Sequence, residues 1–149
     1  MAEKYKILFV AENCIQCHAC EVACKSWREL EPGVRLRRII PGWEGEYPAV
    51  KQISISAACI HCEEPPCAEA CPVEAIIRDA ESGLVLVNRK VCTGCRLCLE
   101  ACPCDAPQFG EDETMKICDL CYGRVDLQSN APPCVATCPT GALILQKKE

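Results

Sequence analysis

Cysteine spacing constrains this 149-residue chain more than any other feature. Of its 17 cysteines, 16 fall into four groups of four, and Cys104 stands alone. The groups, in chain order, are Cys14, Cys17, Cys20 and Cys24; Cys59, Cys62, Cys67 and Cys71; Cys92, Cys95, Cys98 and Cys102; and Cys118, Cys121, Cys134 and Cys138. The first and third groups have the compact spacing C-x2-C-x2-C-x3-C, and the other two are expanded between their middle cysteines. Because the chain has only two Trp, three Tyr and two Phe, the cysteines must help to hold the fold together.

Disulfides, zinc and iron–sulfur clusters are the three uses that such cysteines suggest. Disulfides need an oxidising compartment, and an odd number of cysteines without a signal peptide argues against them. Zinc sites usually present cysteines as two separated pairs. A third cysteine close beyond a pair favours a cubane instead, because a tight loop then offers three thiolates to one cluster, while the fourth cysteine ligates the other cluster of a pair. The spacing therefore predicts four 4Fe–4S clusters, with zinc or fewer clusters as the alternative.

The chain also repeats internally. Residues 65–76 align with residues 132–143 in their cysteines, prolines and one alanine, which indicates a duplication. Apolar runs predict a hairpin of strands near 75–77 and 84–87, which ties group two to group three. Matching runs at 6–10 and 142–145 flank groups one and four, so we expect these two strands to pair.

These pairings predict an α+β fold of two ferredoxin-like lobes, each with two 4Fe–4S clusters, short helices and small antiparallel hairpins. We expect residues 1–149 to form one unit, with an inner lobe at about 57–105 and an outer lobe made of about 1–56 and 106–149. A further hairpin is predicted from partial alternation at 34–40 and 51–56, with a loop at 41–48, and residues 110–116 are predicted to be a polar connector.

Exchange of the fourth cysteine within each lobe predicts the ligands of every cluster. The predicted sets are cluster 1, Cys14, Cys17, Cys20 and Cys138; cluster 2, Cys59, Cys62, Cys67 and Cys102; cluster 3, Cys92, Cys95, Cys98 and Cys71; and cluster 4, Cys118, Cys121, Cys134 and Cys24. Each segment of three residues before a fourth cysteine, such as residues 99–101, is expected to start a short helix that carries the last thiolate across to the other cluster.

With these motifs, the chain resembles the four-cluster ferredoxin-like subunits of molybdopterin oxidoreductases of the dimethyl sulfoxide reductase type. The resemblance covers nearly the whole chain and rests on the four cysteine groups in order and on the motifs around them. These motifs include His61-Cys62-Glu63-x-Pro65-Pro66-Cys67, Lys116-x-Cys118-Asp119-x-Cys121 and Cys138-Pro139-Thr140-Gly141-Ala142. It independently implies the pairing of group one with four and of group two with three. Members often have an aromatic residue and a glycine where this chain has Cys104-Asp105, and Cys95, which some members replace, is intact here.

The resemblance implies a non-catalytic subunit that relays single electrons to or from a catalytic subunit with a molybdenum or tungsten pterin. That partner would be of the dimethyl sulfoxide reductase or the tungsten aldehyde oxidoreductase type, and a further electron donor or acceptor protein is a second expected partner. The alternative is a free polyferredoxin that diffuses between enzymes. An obligate subunit should expose an apolar, aromatic patch, which Trp27, Trp43 and Tyr47 could supply.

Composition and sequence ends exclude several classes. The net charge of −5 argues against nucleic acid as the main partner. No apolar stretch approaches the roughly 18 residues of a membrane span. Because the first residues lack a signal peptide's apolar region, a cytoplasmic location is expected, with export on a signal-bearing partner as the alternative.

Several polar residues have more than one interpretation. His18 and His61 adjoin cysteines, and hydrogen bonding or packing is favoured over ligation because sixteen thiolates already fill the ligand positions. Arg35, Arg37 and Arg38 form a basic cluster that would face solvent, tune a nearby cluster or steer an acidic partner. Cys104 is expected to be a small apolar side chain rather than a reactive thiol.

Overall fold

The computed structural model describes residues 4–148. Within them the helices are α1 (Ala19–Trp27), α2 (Pro66–Glu69), α3 (Leu97–Ala101) and α4 (Pro133–Ala136), with a 3-10 turn at Ala11–Asn13. The strands are β1 (Tyr5–Phe9), β2 (Arg38–Glu44), β3 (Lys51–Ala57), β4 (Ile76–Arg78), β5 (Val85–Val87), β6 (Gln108–Phe109), β7 (Met115–Lys116) and β8 (Leu143–Lys147). None of these helices is long and apolar enough to cross a membrane.

The strands form four separate antiparallel pairs, in the orders β1–β8, β2–β3, β4–β5 and β6–β7. Strand β4 pairs with β5 across the predicted turn, with Ile76 opposite Val87. Strands β1 and β8 pair although they lie at opposite ends of the chain, with Ile7 opposite Leu145. The α+β class, the predicted β4–β5 hairpin and the predicted pairing of the terminal strands are therefore confirmed.

The presence or absence of a proline after the fourth cysteine accounts for the different ends of α3 and α1. Prolines follow Cys71, Cys102 and Cys138, and a residue before proline is driven out of the helical region. Cys102 is accordingly extended, at φ −83° and ψ 119°, and α3 ends immediately before it. Lys25 follows Cys24 instead, so α1 continues through that cysteine for nine residues.

Two predicted segment boundaries are wrong. Val34 and Leu36 show strand-like alternation, but they are buried in an irregular segment that precedes β2. Lys25 holds that segment in place, because its ammonium donates to the backbone carbonyls of Glu31 (2.5 Å) and Val34 (3.0 Å). Strand β2 instead runs through Pro41 and Gly42, part of the predicted loop. A two-stranded pair tolerates this proline because each strand has a free edge.

The predicted polar connector at 110–116 is also only partly correct. Its last two residues form β7, and Met115 is among the most deeply buried side chains. Met115 belongs to the apolar cluster around groups two and three, so this connector closes that part of the core.

The core is divided into three small clusters. One contains Cys67, Cys98 and their apolar neighbours from groups two and three, and another contains Cys20 and Cys134 from groups one and four. A third, centred on Val34, Leu36 and Leu120, contacts both ends of the chain and the β4–β5 hairpin. Thiols thus form part of each core, as the low aromatic content required.

Candidate metal centres

Each cysteine group opens with a tight turn of the same backbone shape. The residue before the second cysteine has a left-handed conformation in every group. These residues are Gln16 (φ 54°), His61 (φ 52°), Gly94 (φ 72°) and Leu120 (φ 53°). Three of the four are not glycine, and such strain persists where the surrounding structure requires it, commonly at functional sites. The repeated turn brings the first two thiols of each group to the same loop.

The compact groups contain a second left-handed residue directly after the second cysteine. It is His18 in group one (φ 57°) and Arg96 in group three (φ 65°). Each of these residues is the N-cap of the following helix, α1 or α3, and the third cysteine lies in the first turn of that helix. The two compact groups therefore share their conformation as well as their spacing.

The fourth cysteine has a repeated hydrogen bond in three of the groups. The backbone N–H of the alanine four residues later donates to its sulfur. The bonds are Ala75 to Cys71 at 3.3 Å, Ala106 to Cys102 at 3.4 Å and Ala142 to Cys138 at 3.2 Å. An N–H donor favours the thiolate, the form that binds iron. Met115 N donates likewise to Cys92 Sγ at 3.4 Å.

The four cysteines predicted to bind cluster 2 line one cavity. Its cysteines are Cys59, Cys62, Cys67, Cys102 and the ungrouped Cys104. Its walls are largely apolar, with Ile60, Val85, Met115 and Ile117 among them. An apolar cavity lined by thiols suits an iron–sulfur cluster, since solvent exposure helps to set the reduction potential of the cluster. Among residues 4–148, no three His, Cys, Asp or Glu side chains converge on a point that would hold a single metal ion.

Several other predicted ligands of clusters 1 and 3 lie in or beside shared apolar clusters. Helix α2 packs against α3, and Cys71 and Cys92 border the core that contains Cys98. Helix α1 packs against α4, and Cys14 and Cys138 border the core that contains Cys20.

Burial raises the pKa of many of these thiols. It raises the pKa of Cys24 to about 12, and the thiols of Cys118, Cys134 and Cys121 raise it further in the same direction. These four residues are the predicted ligands of cluster 4. The effect of the other three thiols on the pKa of Cys24 indicates that they lie close to it. Cys138 is the opposite case. Burial would raise its pKa, but N–H donors from Leu143, Thr140 and Ala142 and the Thr140 hydroxyl lower it.

A partly buried arginine and a buried one lie beside the thiols of groups one and four. Arg28 forms an ion pair with Asp119. Arg37 is only 5% exposed, donates to the Ser56 hydroxyl and interacts electrostatically with Cys134. Sequence analysis included Arg37 in a basic cluster and did not single out Arg28. The motif Lys116-x-Cys118-Asp119 contains Asp119, the partner of Arg28. The two residues are 91 positions apart in the sequence, so the motif did not indicate their contact.

The histidines serve hydrogen bonding and packing. His61 is buried, and its Nδ1 accepts a hydrogen bond from the N–H of Val85 at 3.0 Å. Burial lowers its pKa to about 4, which keeps the imidazole neutral. His18 instead lies near the surface, with its Nδ1 3.1 Å from Glu21.

Comparison with known protein families identifies the cofactors. Residues 50–148 match the 4Fe–4S dicluster domain, and residues 11–27 match a 4Fe–4S binding domain. The first match covers groups two to four, and the second covers all of group one. The prediction of four 4Fe–4S clusters is thereby confirmed.

Relatives match over almost the whole chain. The B subunit of the anaerobic dimethyl sulfoxide reductase of Haemophilus influenzae is 38% identical over 95% of this chain and 73% of its own length. The formate dehydrogenase iron–sulfur subunit of Wolinella succinogenes is 37% identical over 97% of this chain and 82% of its own length. Protein NrfC of Escherichia coli is 38% identical over 94% of this chain and 64% of its own length. The chain therefore belongs to the 4Fe–4S dicluster family, among the ferredoxin-like iron–sulfur subunits that the resemblance of its motifs implied.

Proposed function

We propose that this chain is the electron-transfer subunit of an oxidoreductase and performs no catalysis itself. It would relay single electrons between a catalytic subunit with a molybdenum or tungsten pterin and a further donor or acceptor protein. The observation that supports this most is the arrangement of sixteen cysteines in four groups, each of which opens with a left-handed residue before its second cysteine. The names of two relatives, the B subunit of a reductase and the iron–sulfur subunit of a dehydrogenase, agree with a role inside a larger enzyme.

The ligand sets predicted from the sequence are proposed for the four clusters, with the inner lobe holding clusters 2 and 3. Three features support this assignment: the cavity shared by the cluster 2 cysteines, the mutual effects among the cluster 4 thiols, and the pairing of β1 with β8. When bound, 4Fe–4S clusters supply one-electron transfer at potentials that the protein adjusts.

The protein's part is to hold the thiolates, donate hydrogen bonds to them and limit the access of water. Cys17 and Cys95 are the exposed cysteines among the sixteen, and each is the second cysteine of a compact group. The compact groups are therefore the places where electrons would enter or leave with least protein in between.

Exposed apolar side chains support the docked subunit over a diffusing polyferredoxin. The aromatic residues predicted to form a docking patch are exposed, at 56% for Trp27, 70% for Trp43 and 92% for Tyr47. Ile53 and Ile55 of β3 are exposed as well, at 39% and 57%. The expected cytoplasmic location stays a prediction.

The test is metal analysis of the tagged protein, purified anaerobically from its host with the proteins that accompany it. Four cubanes predict about 16 iron and about 16 sulfide per chain. Molybdenum or tungsten in constant proportion to the protein would support the proposal, and the metal found would distinguish the two enzyme types. The same iron on a lone chain without either metal would favour the polyferredoxin. About four zinc without sulfide would overturn both.

A further inference from the structure

Arg37 is a buried cation without a matching carboxylate. Its side chain is 5% exposed, and its Nη1 donates to the hydroxyl of Ser56 at 2.6 Å. Its Nε is buried and has no hydrogen-bond partner. The ion pairs found among residues 4–148 do not include it. A charge buried in this way is costly unless something nearby compensates for it.

Thiols lie close to the guanidinium. The flanking residue Leu36 packs in the apolar cluster that contains Cys118, and Ile39 packs in the one that contains Cys20 and Cys134. The charge of Arg37 interacts electrostatically with these three cysteines. Cys118 and Cys134 are proposed ligands of cluster 4, and Cys20 is a proposed ligand of cluster 1. Neutral thiols cannot balance the charge, but thiolates that bind an anionic cluster can. The free Nε–H also offers a donor that sulfur of a bound cluster can accept.

The partly buried arginine provides a contrast. Arg28 also lies near thiols, those of Cys24 and Cys121, but the Asp119 carboxylate already neutralises it. Of these two arginines, only Arg37 therefore brings a net positive charge to this part of the core.

We propose that Arg37 raises the reduction potentials of clusters 1 and 4. It does so through its uncompensated positive charge, which lies between their proposed ligands. The proposal rests on the ligand sets of the proposed function. Reduction adds one negative charge to a cluster, and a nearby cation in a poorly solvated site stabilises that charge more than it stabilises the oxidised state. Loss of the cation therefore shifts these two potentials to more negative values.

The experiment is a potentiometric titration, followed by electron paramagnetic resonance, of the protein purified anaerobically with its accompanying proteins. Arg37→Gln should leave iron and sulfide unchanged, move two of the four potentials to more negative values and leave the other two in place. Arg37→Lys should keep most of the native potentials because it keeps the charge. Arg35→Gln is the matched control, since Arg35 is in the same segment but has a 54% exposed side chain paired with Glu21.

A second pair of variants decides the question if Arg37→Gln does not assemble. Ser56→Asp places a carboxylate beside the guanidinium and neutralises it in place, whereas Ser56→Asn adds a side chain of similar size without charge. The aspartate variant should lower the same two potentials and the asparagine variant should not. Four unchanged potentials in whichever of Arg37→Gln and Ser56→Asp assembles would overturn the role of Arg37. Absence of iron–sulfur clusters from the unmodified protein would instead overturn the proposed function.

Discussion

Arg28 and Asp119 form a partly buried ion pair across 91 positions of the sequence. Their side chains are 12% and 18% exposed. The Arg28 backbone N–H donates to the carbonyl of Cys24 at the end of α1, and the Asp119 carboxylate accepts from the N–H of Cys121 at 3.0 Å. The pair therefore joins the helix that contains one proposed ligand of cluster 4 to the loop that contains two others.

Asp119→Asn should strongly destabilise the protein. It leaves the largely shielded Arg28 charge without its partner, and because the pair is only partly buried the cost should be about 2–3 kcal/mol of the free energy of unfolding, below that of a fully buried pair. Denaturant unfolding followed by loss of cluster absorbance measures this cost. Arg124→Gln is the control, because Arg124 contacts the same carboxylate from a 51% exposed position and should cost only about 0–1 kcal/mol. Equal costs for the two variants would contradict the importance of the partly buried pair.

Cys102 and Cys104 line the same cavity but should differ in their effect on iron content. Cys102→Ala removes a proposed ligand and should lower iron from about 16 to about 12 per chain, whereas Cys104→Ala should keep about 16. Iron and sulfide assays on the two anaerobically purified variants make the comparison. Loss of iron in Cys104→Ala alone would mean that Cys104, and not Cys102, is the ligand.

The cysteine repeat was sufficient to predict most of the fold, because sixteen thiols with regular spacing leave few arrangements open. It predicted the β1–β8 pair, which joins opposite ends of the chain and which no local pattern indicates. The proposed ligand sets themselves stay predictions. Sequence reasoning was weakest between the first two groups, where alternation at Val34 and Leu36 indicated a strand and the proline at position 41 indicated a loop.

The errors have a physical cause. Local patterns show which residues prefer burial, but not which long-range partner satisfies them. The Lys25 ammonium bonds to two carbonyls and keeps the segment around Val34 irregular, and the Arg28 and Arg37 contacts depend on residues far along the sequence. The charged side chains of the interior and their partners are therefore what the sequence alone shows least.

A pH-dependent contribution is expected from Lys116. Its ammonium, in an 8% exposed side chain, lies 2.8 Å from both Glu31 and Asp112. Hydrogen bonds from Lys116 are the main reason that the pKa values of both carboxyls lie below their ordinary 4.5 and 3.8. A carboxyl with a lowered pKa stabilises the fold above its ordinary pKa, and this stabilisation is lost as the pH falls through and below that value.

Lys116→Met should therefore destabilise the protein more at about pH 7 than at about pH 3, which lies below the ordinary pKa values of both carboxyls. The measurement is the denaturant midpoint of the native protein and the variant at both pH values, each compared with its own native reference. Lys90→Met, at an exposed lysine of a nearby loop, should have little effect at either pH. An equal loss for Lys116→Met at the two pH values would assign the effect to packing and not to the carboxylates.

Gly94 and Gly123 offer a test of the repeated turn, because both have φ +72° but differ in their surroundings. A Cβ at Gly94 would lie 2.6 Å from the backbone oxygen of Glu113, whereas one at Gly123 meets nothing within 4 Å. Gly123→Ala should cost only the left-handed strain, about 1–2 kcal/mol. Gly94→Ala should cost about 1–3 kcal/mol more, since the loop or Glu113 must move.

Because Gly94 lies between Cys92 and Cys95, that movement should also displace two proposed ligands of cluster 3. Gly94→Ala is therefore expected to lose iron while Gly123→Ala keeps it, as measured by iron content alongside the unfolding midpoint. Similar stability and full iron in both variants would show that the loop accommodates the methyl group. In that case the only local requirement of the turn would be a left-handed backbone conformation. Gln16, His61 and Leu120 adopt this conformation although they are not glycine.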